Sequence, residues 1–224
     1  MAGGKQLTVT PTPKHDEILE GLKSGVRRFR GEVYPERAEV YARAATESQP
    51  HTLFIACADA RVDPIELTQS GPGEVFVLRN IGNMVPPYGE MLGGNSAVIE
   101  YAVSALKVRH IVICGHSDCG AMKALLNPES VKSMPTVTRW LTNAHAALAV
   151  AETVHTKSEW RRPLIAVLTE RNVLLQLQHL KTHPSVAAAM AAGELTVSGW
   201  VYDIGKGQVC VAEDGQRVFA PIAE

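Results

Sequence analysis

A chain of 224 residues, 46% hydrophobic and 20% charged, has the composition of a soluble globular protein with one well-buried core. Its formal net charge of -1, with no like-charged block beyond Arg27, Arg28 and Arg30, excludes a broad nucleic-acid-binding surface, which needs a basic stripe. The opening residues MAGGKQ carry no apolar signal core and no later apolar run is long enough to span a bilayer, so a cytoplasmic protein with no membrane attachment is expected.

Residues 1–14, with Gly, Thr and two prolines and little apolar pattern, read as a mobile tail ahead of a single domain over 15–224. From Asp16 to Arg30, Ile18, Leu19, Leu22, Val26 and Phe29 recur at three- and four-residue steps, the period of an amphipathic helix, and a second helix is expected over Pro35 to Thr46. Two helices ahead of the first strand form an arm over 15–48 that packs either on the chain's own core or at a dimer interface. Leu53 to Cys57 is expected as a buried strand, Asp63-Pro64 opens a short helix, and Glu74 to Leu78 reads as another buried strand. Residues 79–94, rich in Gly, Pro and Asn, form a connection long enough to suggest a functional loop. A helix follows over Ser96 to Leu106, then a strand over Arg109 to Cys114.

Beyond that strand a helix is expected over Cys119 to Leu126, with longer ones over Pro135 to Val150 and Pro163 to Leu180. The break at Thr182-His183-Pro184-Ser185 precedes an alanine-rich helix that Gly193 ends. Leu195 to Ile204 and Gln208 to Ala212 read as a hairpin about Gly205-Lys206-Gly207, continued by Gln216 to Ala220. Strands separated by helices imply an α/β fold: a mostly parallel central sheet flanked by helices, with an N-terminal helical arm and a C-terminal strand or hairpin.

Two short runs, Cys57-Ala58-Asp59-Ala60-Arg61 and Gly115-His116-Ser117-Asp118-Cys119-Gly120, each follow an expected strand. Ligand sites in open parallel sheets lie beyond the carboxyl ends of the strands, where both runs fall. The four cysteines, Cys57, Cys114, Cys119 and Cys210, are too few and scattered for a disulfide framework, which leaves thiols free to hold metal. Taken singly, Cys57 and Cys119 read as small buried hydrophobes and His116 as a core histidine. Together at strand ends they supply three Cys/His ligands, the number a catalytic zinc uses when its fourth position is left to water. Asp59 and Arg61, two residues apart, leave one face of an extended segment, and a bidentate guanidinium keeps such a carboxylate charged and in place. Two thiolates cancel the charge of Zn2+, so a coordinated water loses its proton less easily than on three imidazoles. Activity is expected to rise toward alkaline pH unless nearby donors compensate.

Six stretches carry a family resemblance: TLFIACADAR (52–61), TQSGPGEVFVLRNIGNMVPPYG (68–89), IEYAV (99–103), ICGHSDCGAMKAL (113–125), HPSV (183–186) and GWVYDI (199–204). In this order they resemble the β-class carbonic anhydrases, in particular the plant-like and bacterial cyanate-operon types. The resemblance implies a lyase that reversibly hydrates CO2 to bicarbonate and a proton on one Zn2+ per subunit, in a homodimer or higher homo-oligomer. It assigns Cys57, His116 and Cys119 as zinc ligands, Asp59 and Arg61 as the catalytic dyad, the Gly120 backbone N–H as a substrate donor, and Phe76 and Tyr101 as aromatic pocket lining. Serines usual in the family at positions 58 and 60 are Ala58 and Ala60 here, which removes two hydroxyls from around the dyad. The family's substrate-binding glutamine, contributed across the dimer interface, aligns with Ser48. Gln49, one residue on, takes its place if the backbone adjusts, since one step along an extended segment turns a side chain to the other face. The aromatic pocket is similar to that of members with an open zinc site, in which Asp59 stays off the metal. The alternative is a non-catalytic zinc-binding homologue that acts as a bicarbonate-binding or scaffold protein. A zinc knuckle is disfavoured by the lack of a Cys-x-x-Cys pair, and a nucleotide fold by the spacing of the glycines in 82–94.

Overall fold

The computed structural model describes residues 14–89 and 93–222. Residues 1–13 of the expected tail and residues 90–92 of the long loop lie outside the described residues. The chain divides into two compact units, 1–47 and 48–224.

The first unit runs α1 (His15–Arg28), a wide turn at Phe29–Val33, α2 (Tyr34–Glu36) and α3 (Ala38–Glu47). Asp16 and Glu17 in the first turn of α1 and Arg27 and Arg28 in its last complement the helix dipole, and the Lys14 N–H donates to the Glu17 carboxylate at 2.7 Å. The helix expected over Pro35 to Thr46 is interrupted at Arg37, whose φ of -121° and ψ of 16° leave the helical region. Phe29, Tyr34 and Tyr41 form a ring cluster with centroids 5.3 to 6.2 Å apart. No residue of α1 is buried, and its apolar stripe is bare, with Leu22 and Val26 each 66% exposed.

In the second unit a six-stranded sheet has the order β2-β1-β3-β4-β5-β6, formed by β1 (Thr52–Cys57), β2 (Val75–Asn80), β3 (His110–His116), β4 (Thr196–Asp203), β5 (Gln208–Glu213) and β6 (Ala220–Pro221). The first four strands in that order are parallel, and β5 and β6 add antiparallel. Parallel neighbours need crossovers: α4 (Pro64–Thr68) links β1 to β2, and α5 (Gly94–Ser104) links β2 to β3. Between β3 and β4 come α6 (Gly120–Leu126), α7 (Pro135–Leu141), α8 (His145–Val154), α9 (Leu164–Leu180) and α10 (Pro184–Ala191). The mostly parallel α/β architecture with a C-terminal hairpin matches the expected fold class.

Side chains alternate across the strands as a two-residue period demands. Leu53 and Ile55 of β1 and Ile111 and Ile113 of β3 pack with Ile99 of α5, Val173 and Leu177 of α9 and Val186 of α10. Phe54, Ala56, Val112 and Cys114 face the other way, among Leu67, Trp200 and Tyr202. The long helix α9 lies flush on the sheet because β3 and β4 present glycines beneath it. A Cβ on Gly199 would sit 2.7 Å from Val173, and one on Gly115 would sit 2.8 Å from the same side chain.

Two expected elements differ for local reasons. The helix over Pro135 to Val150 breaks into α7 and α8 at Thr142–Ala144. There the Thr142 hydroxyl donates to the Arg139 carbonyl at 2.7 Å and the Asn143 amide to that of Trp140 at 2.8 Å, competing with the helical ladder. The expected strand over Gln216 to Ala220 shrinks to Ala220–Pro221, because Gln216 closes a turn back onto Glu213 through its backbone and side chain.

Cys114 gives this core a pH signature. Burial pushes its thiol up to about 12, with Cys57 adding to the effect. An unfolded-state thiol titrates near 8.5, so below that pH the contribution to stability is complete, and it is lost as pH rises toward the folded value. In urea melts the stability gap between wild type and Cys114→Ala should narrow above about pH 9, by up to roughly 1.4 kcal/mol per pH unit.

Candidate metal centre

β1 and β3 are adjacent and parallel, with Ala56 opposite Cys114, so Cys57 and His116 emerge at the same end of the sheet. The chain order places the topological switch between these two strands, since it leaves β1 for β2 on one side and returns to β3 on the other. Cys119 is carried back toward them by a sharp turn in which Asp118 adopts a left-handed φ of 59°. The ligand-capable atoms of Cys57, His116 and Cys119 lie within 4.8 Å of one another, and all three residues are buried.

The chemistry of these donors fits a zinc ion. His116 Nδ1 lies 2.8 Å from the Ser117 carbonyl. A carbonyl only accepts, so Nδ1 carries the proton and Nε2 presents a bare lone pair. That Nε2 is buried and has no hydrogen-bond partner among the described residues. The Cys57 and Cys119 sulfurs are 4.0 Å apart, close to the roughly 3.8 Å that two Zn–S bonds of about 2.3 Å impose at a tetrahedral angle. A hydrogen bond from the Cys119 thiol is the largest influence on Cys57, drawing it down to about 4 against the opposing effect of burial. The backbone N–H groups of Gly82 and Asp59 add to the fall. Cys119 moves the other way, raised first by its hydrogen bond to Cys57 and then by burial. The two shifts describe a thiolate and a thiol sharing one proton; a dication in its place lets both sulfurs be thiolates.

Backbone donors back the sulfurs. Gly82 reaches Cys57, while Ala121 and Met122 at the start of α6 reach Cys119. Gly82 is confined to glycine twice over, by a φ of 77° and because a Cβ there would lie 2.8 Å from that of Ala121. Its loop is pinned from behind: Asn172 donates to the Gly82 carbonyl at 3.1 Å, and Gln176 accepts from the Val85 N–H at 2.8 Å. Arg79 fixes the other side, donating from Nε to the Cys57 carbonyl at 3.1 Å and from Nη2 to the Asp59 carbonyl at 2.6 Å.

Asp59 and Arg61 form the expected fork. Arg61 Nε donates to Asp59 Oδ1 at 2.9 Å, Nη2 to Oδ2 at 2.8 Å, and the Arg61 backbone N–H to Oδ1 at 3.0 Å. These bonds, the side-chain one foremost, hold the Asp59 carboxyl well below the usual carboxylate range. Oδ2 stands 3.9 Å from His116 Nε2, beside the donor cluster.

Gly120 is the first residue of α6, next to Cys119. A groove of about 740 Å³ adjoins Ala58 and is lined by Asn80, Ile81, Val137 and Trp140, a mostly apolar wall. The remaining expected pocket residues are not brought here within one chain. Phe76 pairs with Leu53, four positions before Cys57, which places it roughly 13 Å back along the sheet. Its ring lies against Tyr101 with centroids 6.1 Å apart. Gln49 is exposed at the opposite end of β1 from Cys57. Residue chemistry does not single out Arg79, Asn172 or Gln176; Arg79 lies inside a stretch that carries the family resemblance, and the other two lie in α9 among several further polar residues, Thr169, Glu170, Arg171, Gln178 and His179.

Residues 52–209 match the family profile described as carbonic anhydrase. A carbonic anhydrase of Pseudomonas aeruginosa is 46% identical over 206 residues, covering 92% of this chain and 93% of the relative. Among solved structures, the β-carbonic anhydrase CcaA superposes with a TM-score of 0.84 at 34% identity, covering 93% of each chain. One of two tetrameric β-carbonic anhydrases of Sordaria macrospora superposes with a TM-score of 0.74 at 28% identity, covering 92% of this chain and all of the other.

Proposed function

Because the chain belongs to the β-class carbonic anhydrases and catalyses the reversible hydration of CO2 to bicarbonate and a proton, we propose that it does so with one zinc ion per subunit held by Cys57, His116 and Cys119. The observation that carries this assignment is the buried, unpartnered Nε2 of His116 facing two sulfurs. When bound, zinc supplies a Lewis acid that lowers the pKa of a coordinated water into the working range.

The chain's own residues do the rest. Cys57 and Cys119 hold the ion, and the N–H groups of Gly82, Ala121 and Met122 draw charge off their sulfurs. These are the compensating donors that soften the expected alkaline bias. Asp59, kept ionised and in place by Arg61, accepts a proton-side hydrogen bond and so orients the nucleophile toward the CO2 carbon. The Gly120 N–H is proposed as a donor to a bicarbonate oxygen. CO2 has no charge to grip, and the apolar groove beside Ala58 suits it. All five working side chains converge, and no observation favours a non-catalytic role. Stopped-flow CO2 hydration by the purified protein, with zinc content measured in the same sample, tests the proposal. Zinc-replete protein that does not turn over CO2 would overturn it.

A homo-oligomer, at least a homodimer, is proposed on two grounds. Gln49, Phe76 and Tyr101 lie away from the metal centre of their own chain, so their substrate role requires a partner subunit's centre. The bare apolar stripe of α1 offers a surface for that partner. Charging the stripe with Leu22→Glu and Val26→Glu is expected to shift the sedimenting mass from oligomer to monomer and to reduce CO2 hydration in step. An unchanged mass would remove α1 from the interface. The four cysteines are unpaired, which suits a reducing compartment, and the cytoplasm is the proposed setting. Among the described residues no helix is long and apolar enough to cross a membrane.

A further inference from the structure

Arg61 is held from two sides. While its Nε and Nη2 grip Asp59, its Nη1 donates to Asp118 Oδ2 at 3.1 Å and its Nη2 also reaches the Asp118 carbonyl at 3.3 Å. The other oxygen of Asp118, Oδ1, is in an ion pair with Lys123, one turn into α6. We propose that Asp118 and Lys123 are positioning residues for the reaction: Asp118 pins the far edge of the Arg61 guanidinium, and Lys123 pins Asp118, so that Arg61 presents Asp59 at one fixed angle beside the metal centre. The inference rests on the reading of Asp59 and Arg61 as the working pair and deepens it.

Three observations argue for orientation over mere surface pairing. The Asp118, Arg61 and Lys123 side chains are each about half exposed, at 54%, 46% and 55%, and exposed pairs add little to folding stability. A planar guanidinium bonded along one edge can still swing out of plane with its flexible stem; bonded along two edges by separate carboxylates, it cannot. Asp118 is also the left-handed residue that turns the chain between His116 and Cys119, so the clamp is built on the loop that carries the metal ligands and moves with it. The anchor for Asp59 thus refers its position directly to the ion it serves.

The test uses the full-length zinc-loaded protein. Asp118→Asn removes the charge but keeps a residue type that tolerates the left-handed backbone, and Lys123→Met removes the outer anchor. Each is assayed by stopped-flow CO2 hydration, by zinc content, and by the Nε–H NMR resonance of Arg61, assigned with Arg61→Lys. In Asp118→Asn, kcat and kcat/KM should fall together about ten-fold with KM and zinc content unchanged. The Arg61 line should broaden or move toward the free-arginine position, and Lys123→Met should fall between this variant and wild type in both readouts. Wild-type kinetics, a loss of activity with the Arg61 line unmoved, or loss of zinc in Asp118→Asn would each overturn the clamp. If instead Asp59→Ala keeps full turnover, it is the dyad reading itself that fails.

Discussion

Cys57→Ser is expected to leave the chain folded, to strip it of zinc, and to lower CO2 hydration by about a thousand-fold or more, since without the metal no group at this site can make a strong nucleophile from water near neutrality. Serine keeps the size of cysteine but replaces a soft, readily ionised thiolate with a hydroxyl that stays protonated. Cys57 sits at the end of β1, with its strand core at Leu53 to Ala56 fully packed, so the substitution removes a ligand and leaves the sheet intact. Prolonged dialysis against a strong chelator should reproduce the loss in the wild type, and zinc should restore it. Metal per chain, far-UV circular dichroism and stopped-flow rates measured on one preparation check all three parts. Turnover that survives in zinc-free protein would show that the sulfur and imidazole cluster is not the source of activity.

The second large effect belongs to Asp59→Ala, for which hydration should drop on the order of a hundred-fold with zinc retained, the range expected when a reacting group loses its orientation. The carboxylate accepts three hydrogen bonds from Arg61 and its Oδ2 stands 3.9 Å from His116 Nε2, so its removal takes away none of the three proposed ligands. Asp59→Asn separates charge from shape: if acceptance at a fixed angle matters, the amide should recover part of the loss. The sign of the pH dependence follows from the same bonds. The carboxyl is held below the usual carboxylate range, so it is ionised at every pH above its unfolded value near 4 and should contribute no acid limb between about pH 5 and 9. The profiles of wild type and Asp59→Asn should therefore share a shape and differ in height. A wild-type limb in that interval that vanishes in the variant would show that Asp59 titrates during the reaction.

Much of the chemistry was legible because strand ends announce themselves. Runs such as Leu53-Phe54-Ile55-Ala56 and Ile111-Val112-Ile113-Cys114 cannot lie on a surface, and whatever follows them falls at the carboxyl edge where open sheets do their work. Cys57, His116, Asp59 and Arg61 follow those runs, and the fold gathers them at that edge. The helix breaks at Arg37 and at Thr142–Ala144 were hidden because apolar spacing continues across them while side-chain hydrogen bonds and local dihedrals decide the kink. Arg79, Asn172, Gln176 and Asp118 were hidden for a different reason. Each acts by pointing at a backbone atom or a charge brought near by folding, and no spacing in the chain records such a meeting. Phe76 and Tyr101 show the converse, since the family pattern placed them in a pocket while the register of β1 and β2 sets them well back from it in their own chain.

The sulfur of Cys57 and the imidazole of His116 hang from neighbouring strands, yet a full strand and two helices of chain lie between them. An unstructured polypeptide cannot gather these donors, because they meet only once β1 and β3 have paired. The full donor set proposed for the ion is therefore on offer only in an assembled sheet. The strand and helix signal in far-UV circular dichroism should accordingly survive a cycle of chelation and reloading.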